Sequence, residues 1–130
     1  MQPQADPFIV PLCNEEIGVL YQDQHLLLIN KPSGLLTLAG KHPLNKDSVH
    51  FRLVKDFPTA TMIHRLDFGT SGILIVALNK VVNAHIGKQF QAHSVSKTYT
   101  AILHGIKGDG GIFRQLLLRC STTYVHVGKF

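Results

Sequence analysis

Asp67 stands in the run His64-Arg65-Leu66-Asp67-Phe68-Gly69-Thr70-Ser71-Gly72 and is the side chain of this sequence best placed to do chemistry. The run reads as a polar, glycine-punctuated turn that feeds into the apolar stretch Ile73-Leu74-Ile75-Val76-Ala77-Leu78. A carboxylate on a loop at the lip of a rigid sheet is a common place for a catalytic group, because the scaffold fixes the loop while substrate reaches it. Gly69 and Gly72 release the backbone from ordinary steric limits, so the turn can be sharp. The same residues also support a plainer reading, in which Asp67 caps the turn or pairs with Arg65, since loop aspartates are common and usually solvated.

Other chemistries find less support. The eight histidines include no HxxxH pair: His42 and His50, or His85 and His93, lie too far apart, and none sits near a cysteine or a carboxylate cluster. Cys13 and Cys120 have no CxxC spacing. No metal is expected from these spacings, and the cysteines read as free thiols of a reducing compartment. Ser71 lies in Thr-Ser-Gly rather than in a nucleophile elbow, and the glycines from Gly105 to Gly111 are followed by no Gly-Lys-Ser/Thr. Neither a serine hydrolase nor a P-loop is indicated.

The elements that must position Asp67 follow from pattern. The run 73–78 is short and continuously apolar, which predicts a strand buried on both faces. Val19 to Tyr21, the turn Asp23-Gln24 and His25 to Asn30 predict a β-hairpin. Lys31-Pro32-Ser33-Gly34 then stops the ladder in a turn and leaves Lys31 at a strand end, serving an anion or simply solvated. Residues 39–46 predict a flexible, exposed, basic loop. Asp47 reads as the N-cap of a helix over 48–56 that Pro58 ends, with Arg52 and Lys55 off its apolar side. Residues 80–93 predict an amphipathic helix whose polar face carries Lys80, His85, Lys88 and His93. Residues 97–103 and 121–127 predict further strands.

Composition bounds the whole. A chain of 130 residues, 45% hydrophobic and 16% charged, is a globular chain of one-domain size. We read an extended N-terminal segment over 1–16 and one domain over 17–130. The 13 Lys and Arg exceed the 8 Asp and Glu, giving a formal charge of +5, which favours an anionic partner such as nucleic acid. No apolar run reaches the length of a membrane span, and no basic segment followed by an apolar stretch opens the chain, so a cytoplasmic protein is expected.

Three collinear stretches resemble the RluA-type pseudouridine synthases, which isomerise uridine in ribosomal and transfer RNA. They are Val19-Leu20-Tyr21-Gln22-Asp23 to Leu28-Ile29-Asn30-Lys31-Pro32-Ser33-Gly34-Leu35-Leu36, the run from His64 to Lys80, and Lys97-Thr98-Tyr99 to Gly105. The resemblance covers residues 17–105 and is nearest to members acting on both large-subunit rRNA and a tRNA anticodon stem-loop. It implies an α+β fold with a mixed, largely antiparallel sheet and flanking helices. It also implies Asp67 as the nucleophile, bonded to sugar or base while the glycosidic bond breaks and re-forms through carbon. Arg65 would enter the RNA helix in place of the target base, Tyr99 would pack on or deprotonate the nucleoside, and His64 would join them in binding substrate. Flipping the base costs a few kcal/mol, and a cation beside Asp67 would favour its ionised form. Isomerisation requires no redox change, phosphate transfer or net hydrolysis, so no cofactor is expected.

The chain departs from the family pattern near its end. Gly110-Gly111-Ile112-Phe113-Arg114-Gln115-Leu116 carries Gln115 where proline is usual, and the family's later arginine-bearing motif is absent. The expectation is therefore a truncated synthase. Two activities fit it: isomerisation through Asp67, or a non-catalytic RNA-binding remnant using the basic loop 41–46 and the helix 80–93.

Overall fold

Strand pairing is organised on the apolar runs that the sequence displays. The structure, a computed structural model, describes residues 8–100 and the backbone of 123–126. In chain order the elements are β1 Gly18–Gln22, β2 Leu26–Lys31, α1 Val49–Leu53, β3 Thr61–Met62, β4 Gly72–Ala77, α2 Lys80–Gln91, β5 Lys97–Thr100 and β6 Thr123–His126. The mixture of helix with a mainly antiparallel sheet is an α+β architecture. The chain divides into two units, Met1–Gly87 and Lys88–Phe130.

In the first unit a four-stranded antiparallel sheet has the order β1-β2-β4-β3. Asp23 makes the β1–β2 turn, its carboxylate accepting from the N–H groups of His25 and Leu26 at 2.7 and 2.8 Å. Across β2 and β4, Leu27 faces Val76 and Ile29 faces Leu74, and all four are fully buried. Opposed residues of neighbouring strands share a face, so this face makes the core, joined by Leu35, Val49 and Leu53.

The other face is different. Ile73 is 61% exposed, and Leu28 and Ile75 are only half-buried. The expectation that 73–78 is buried on both faces is thus corrected: the strand is apolar throughout, yet unit 1 covers one side only.

Helix α1 is shorter than predicted and differently capped. Ser48, fully buried, takes the N-cap and its Oγ accepts from the N–H of Phe51 at 3.1 Å. Asp47 turns to Arg52 instead, with two hydrogen bonds of 2.6 and 2.7 Å. Arg52 also donates to the carbonyls of Cys13 and Glu15, which fastens the N-terminal segment to α1. The loop 39–46, expected to be flexible, is closed by backbone bonds from Gly40 to Asn45 and from Asn45 to His42.

The helix over 80–93 is present as α2, with the side chain of Asn79 accepting from the N–H of Val82 at 2.9 Å. None of its residues is fully buried, and its apolar side, Val82, Ile86 and Phe90, is half-buried. In the second unit, β5 and β6 pair in parallel. The predicted strand residues 101–103, the turn 105–111 and the run 116–118 lie outside the described residues. Among the described residues no helix is long and apolar enough to cross a membrane.

Candidate active site

Between β3 and β4 the chain leaves the sheet for the stretch from Ile63 to Ser71 and then returns. Register explains the departure point. Thr61 and Met62 pair with Ala77 and Val76, so the next ladder partner on β4 is Ile75. Its N–H donates to Nε2 of His64 at 3.1 Å, so an imidazole supplies the acceptor that the strand no longer offers. Accepting this bond requires Nε2 without a proton, which fixes the neutral ring as the Nδ1–H tautomer. At the far end, Gly72 has φ 135°, a backbone conformation that side-chain-bearing residues rarely adopt. Gly69 does not have a positive φ.

Two side chains and one backbone N–H from the segment after β2 hold the loop between these ends. The Oγ1 of Thr37, 4% exposed, donates to the carbonyl of Leu66 at 2.7 Å and accepts from its N–H at 3.2 Å. Ser33 Oγ donates to the carbonyl of Gly69 at 2.8 Å, and the N–H of Gly34 donates to the carbonyl of Phe68 at 2.9 Å. Gly34 can make that turn because φ is 79° there.

Lys31 is the residue whose expected role is overturned. It is neither solvated nor offered to an anion: it is 0% exposed, and Nζ donates to the carbonyls of Pro32, Leu35 and Phe68 at 2.8, 2.6 and 3.3 Å. A buried ammonium persists only where such acceptors replace its water. Burial lowers its pKa, while electrostatic interaction with Cys13 and Asp67 opposes that shift. A fully buried cation therefore lies within electrostatic reach of the candidate nucleophile. Sequence reading gave Lys31 another role, took Ser33 only as part of the turn and passed over Thr37; the one signal was the Lys-Pro-Ser-Gly turn itself, whose polar groups needed partners.

With its neighbours Leu66, Phe68 and Gly69 tied at the backbone, Asp67 stands exposed on the loop. Its carbonyl accepts from the N–H of Thr70 at 3.0 Å, which closes the turn and leaves the carboxylate outward of that bond. Arg65 is exposed as well. Among the described residues the ion pair within 4.0 Å is that of Arg52 with Asp47, so Asp67 is not held by Arg65 and the turn-salt-bridge reading is not realised. The structure thus brings His64, Arg65 and Asp67 onto one loop of the first unit. Tyr99, half-buried on β5, belongs to the second unit. Among the described residues no group of three or more metal-ligating side chains gathers.

Residues 25–126 match the family described as RNA pseudouridylate synthase. The chain is 51% identical over 87 residues to the dual-specificity RNA pseudouridine synthase RluA of Yersinia pestis, covering 67% of this chain and 42% of that protein. To the RluA of Escherichia coli K12 it is 40% identical over 103 residues, covering 79% of this chain and 43% of that protein. Among solved structures, human RNA pseudouridylate synthase domain containing 1 is similar at 28% identity with a TM-score of 0.47, covering 63% of this chain and 30% of that one. The chain therefore spans less than half the length of the curated relatives it matches. By the family match over most of its length, the chain belongs to the RNA pseudouridylate synthase family.

Proposed function

We propose that this chain carries the nucleophile-bearing part of a synthase that converts uridine to pseudouridine in structured RNA, with Asp67 as the nucleophile. The observation that carries this reading is the contrast between an exposed Asp67 carboxylate and a backbone held at Leu66, Phe68 and Gly69. A nucleophile gains most from being held in place, because positioning removes the entropy of encounter from the chemical step. The bond from the ribose carbon to the ring nitrogen breaks, and the same carbon bonds to a ring carbon. That ring carbon loses its proton and the ring nitrogen gains one, so no atom is consumed overall. Covalent attachment of Asp67 to sugar or base keeps the fragments together meanwhile.

Arg65, exposed and not paired with Asp67, is free to occupy the space that a flipped uridine leaves, where its planar fork can meet base edges and phosphate. Tyr99 is assigned to the nucleoside, as a packing surface or a base, and His64 to substrate binding. The substrates are uridines of large-subunit rRNA, of a tRNA stem-loop, or both, in a cytoplasmic setting. The relatives named for dual specificity and the excess of cationic residues support this reading.

The test is product formation on rRNA and tRNA stem-loops by the chain and by Asp67→Asn. Loss of product with RNA binding retained supports the assignment. Unchanged activity removes Asp67 from the mechanism, and binding without product from the parent chain supports a binding-only form.

A further inference from the structure

The N-terminal segment, whose sequence gives no role, touches the active-site loop through Phe8. Asn45, 8% exposed, holds this segment from the side of the 40–45 loop: its Oδ1 accepts from the N–H of Val10 at 2.8 Å and its Nδ2 donates to the carbonyl of Phe8 at 2.6 Å. The segment is therefore fixed by its backbone and leaves the Phe8 side chain 63% exposed. The Phe8 ring meets the ring of Phe68 edge-on, with centroids 6.0 Å apart and planes at 76°. Phe68 follows Asp67 directly, so an exposed aromatic ring is held one residue from the nucleophile.

The same loop supplies cations. Lys41 and Lys46 are exposed at its two ends, and Asp47, the only carboxylate between Gln24 and Lys55, is occupied by Arg52. An aromatic face flanked by uncompensated lysines is the combination by which proteins bind unpaired nucleotides, with bases stacking on the ring and phosphates drawn to the charges.

We propose that Phe8 and the 40–46 loop, joined through Asn45, form a platform for RNA beside Asp67. The Phe8 ring stacks on an unpaired base next to the target uridine, while Lys41 and Lys46 take the flanking phosphates. This rests on the RNA reading of the site and adds to it a contact that the catalytic loop alone does not supply.

Binding of a fluorescein-labelled uridine-containing RNA hairpin to the 130-residue chain tests it. Phe8→Ala and Phe8→Leu should each weaken binding at least about fivefold, since stacking of one base contributes on the order of 1–3 kcal/mol. Phe8→Trp should bind as the parent does. The strap is held through the backbone of residue 8, so all three variants keep it. The double variant Lys41→Ala, Lys46→Ala should lower the slope of log affinity against log salt by about one to two. Parent-like binding by Phe8→Leu would overturn the platform, because leucine retains apolar packing on Phe68 but offers no face to stack on. That outcome, with product still lost in Asp67→Asn, leaves the enzymatic reading intact. A parent chain that binds no RNA hairpin overturns both.

Discussion

One hydroxyl holds both backbone groups of the residue before the candidate nucleophile: Thr37 Oγ1 donates to the carbonyl of Leu66 and accepts from its N–H, at 2.7 and 3.2 Å. Leu66 is itself buried, so neither group has water as an alternative. Thr37→Val preserves shape and removes both bonds. Leaving a buried donor and a buried acceptor without partners costs on the order of 1–3 kcal/mol each, so stability to urea should fall by at least about 2 kcal/mol. Thr37→Ser should recover most of it. Equal stability in the valine variant would mean that Leu66 does not depend on Thr37.

Lys31 is the second support of that loop, and its removal should be more disruptive than a surface lysine allows. Lys31→Met keeps the aliphatic length but leaves the carbonyls of Pro32, Leu35 and Phe68 without its ammonium. The expected loss is at least about 2 kcal/mol by urea unfolding. Lys31→Arg should not restore it, because a planar five-donor fork does not fit a site shaped around a compact ammonium. Full stability in the arginine variant would show that charge alone is required.

The sheet around this loop was legible because its runs are dense in Leu, Ile and Val and its turn at Asp23 is chemically explicit. Strands β1, β2 and β4 and the turn that carries Asp67 follow from that. The loop supports were not legible, since a lysine after a strand is usually solvated and a threonine in Leu-Leu-Thr-Leu carries no signal; only the fold brings 31–37 against 66–69. Asp47 and Ser48 are both good caps, and the choice fell to Ser48 because Arg52, one turn on, claims the carboxylate. The one-sided burial of β4 was hidden for a different reason: Ile73 is as apolar as its buried neighbours, and sequence records hydrophobicity rather than what covers it.

His64 ends strand β3 by accepting from Ile75, and that contact should steady the loop that carries Asp67. His64→Phe fills similar space and offers no acceptor, so the Ile75 N–H loses its partner at a cost of about 1–2 kcal/mol. A lower midpoint in urea is expected, together with faster amide exchange at Ile75 than in the parent. His64→Gln, which can present an oxygen, should exchange more slowly than the phenylalanine variant. Unchanged exchange at Ile75 in His64→Phe would show that the imidazole is not its acceptor in solution.

Acid should expose the link between α1 and the N-terminal strap. Hydrogen bonding from Arg52 is the main cause holding the Asp47 carboxyl below the ordinary value of 3.8. A carboxyl depressed in the folded state contributes stability that is present above its unfolded value and lost as pH falls through its folded value. The contribution of Asp47 is therefore intact near neutral pH and disappears below 3.8. Asp23 is lowered too, chiefly by the backbone N–H of His25, so the parent loses stability in the same window from a second site. The Asp47→Asn difference isolates one from the other. The pair is partly exposed, and such pairs contribute up to about 1 kcal/mol, which corresponds to a Tm gap of a few degrees. That gap should be widest near neutral pH and close as the pH drops below 3.8. A gap that stays constant from neutral to strongly acidic solution would show that Asp47 acts there through shape and not through its charge.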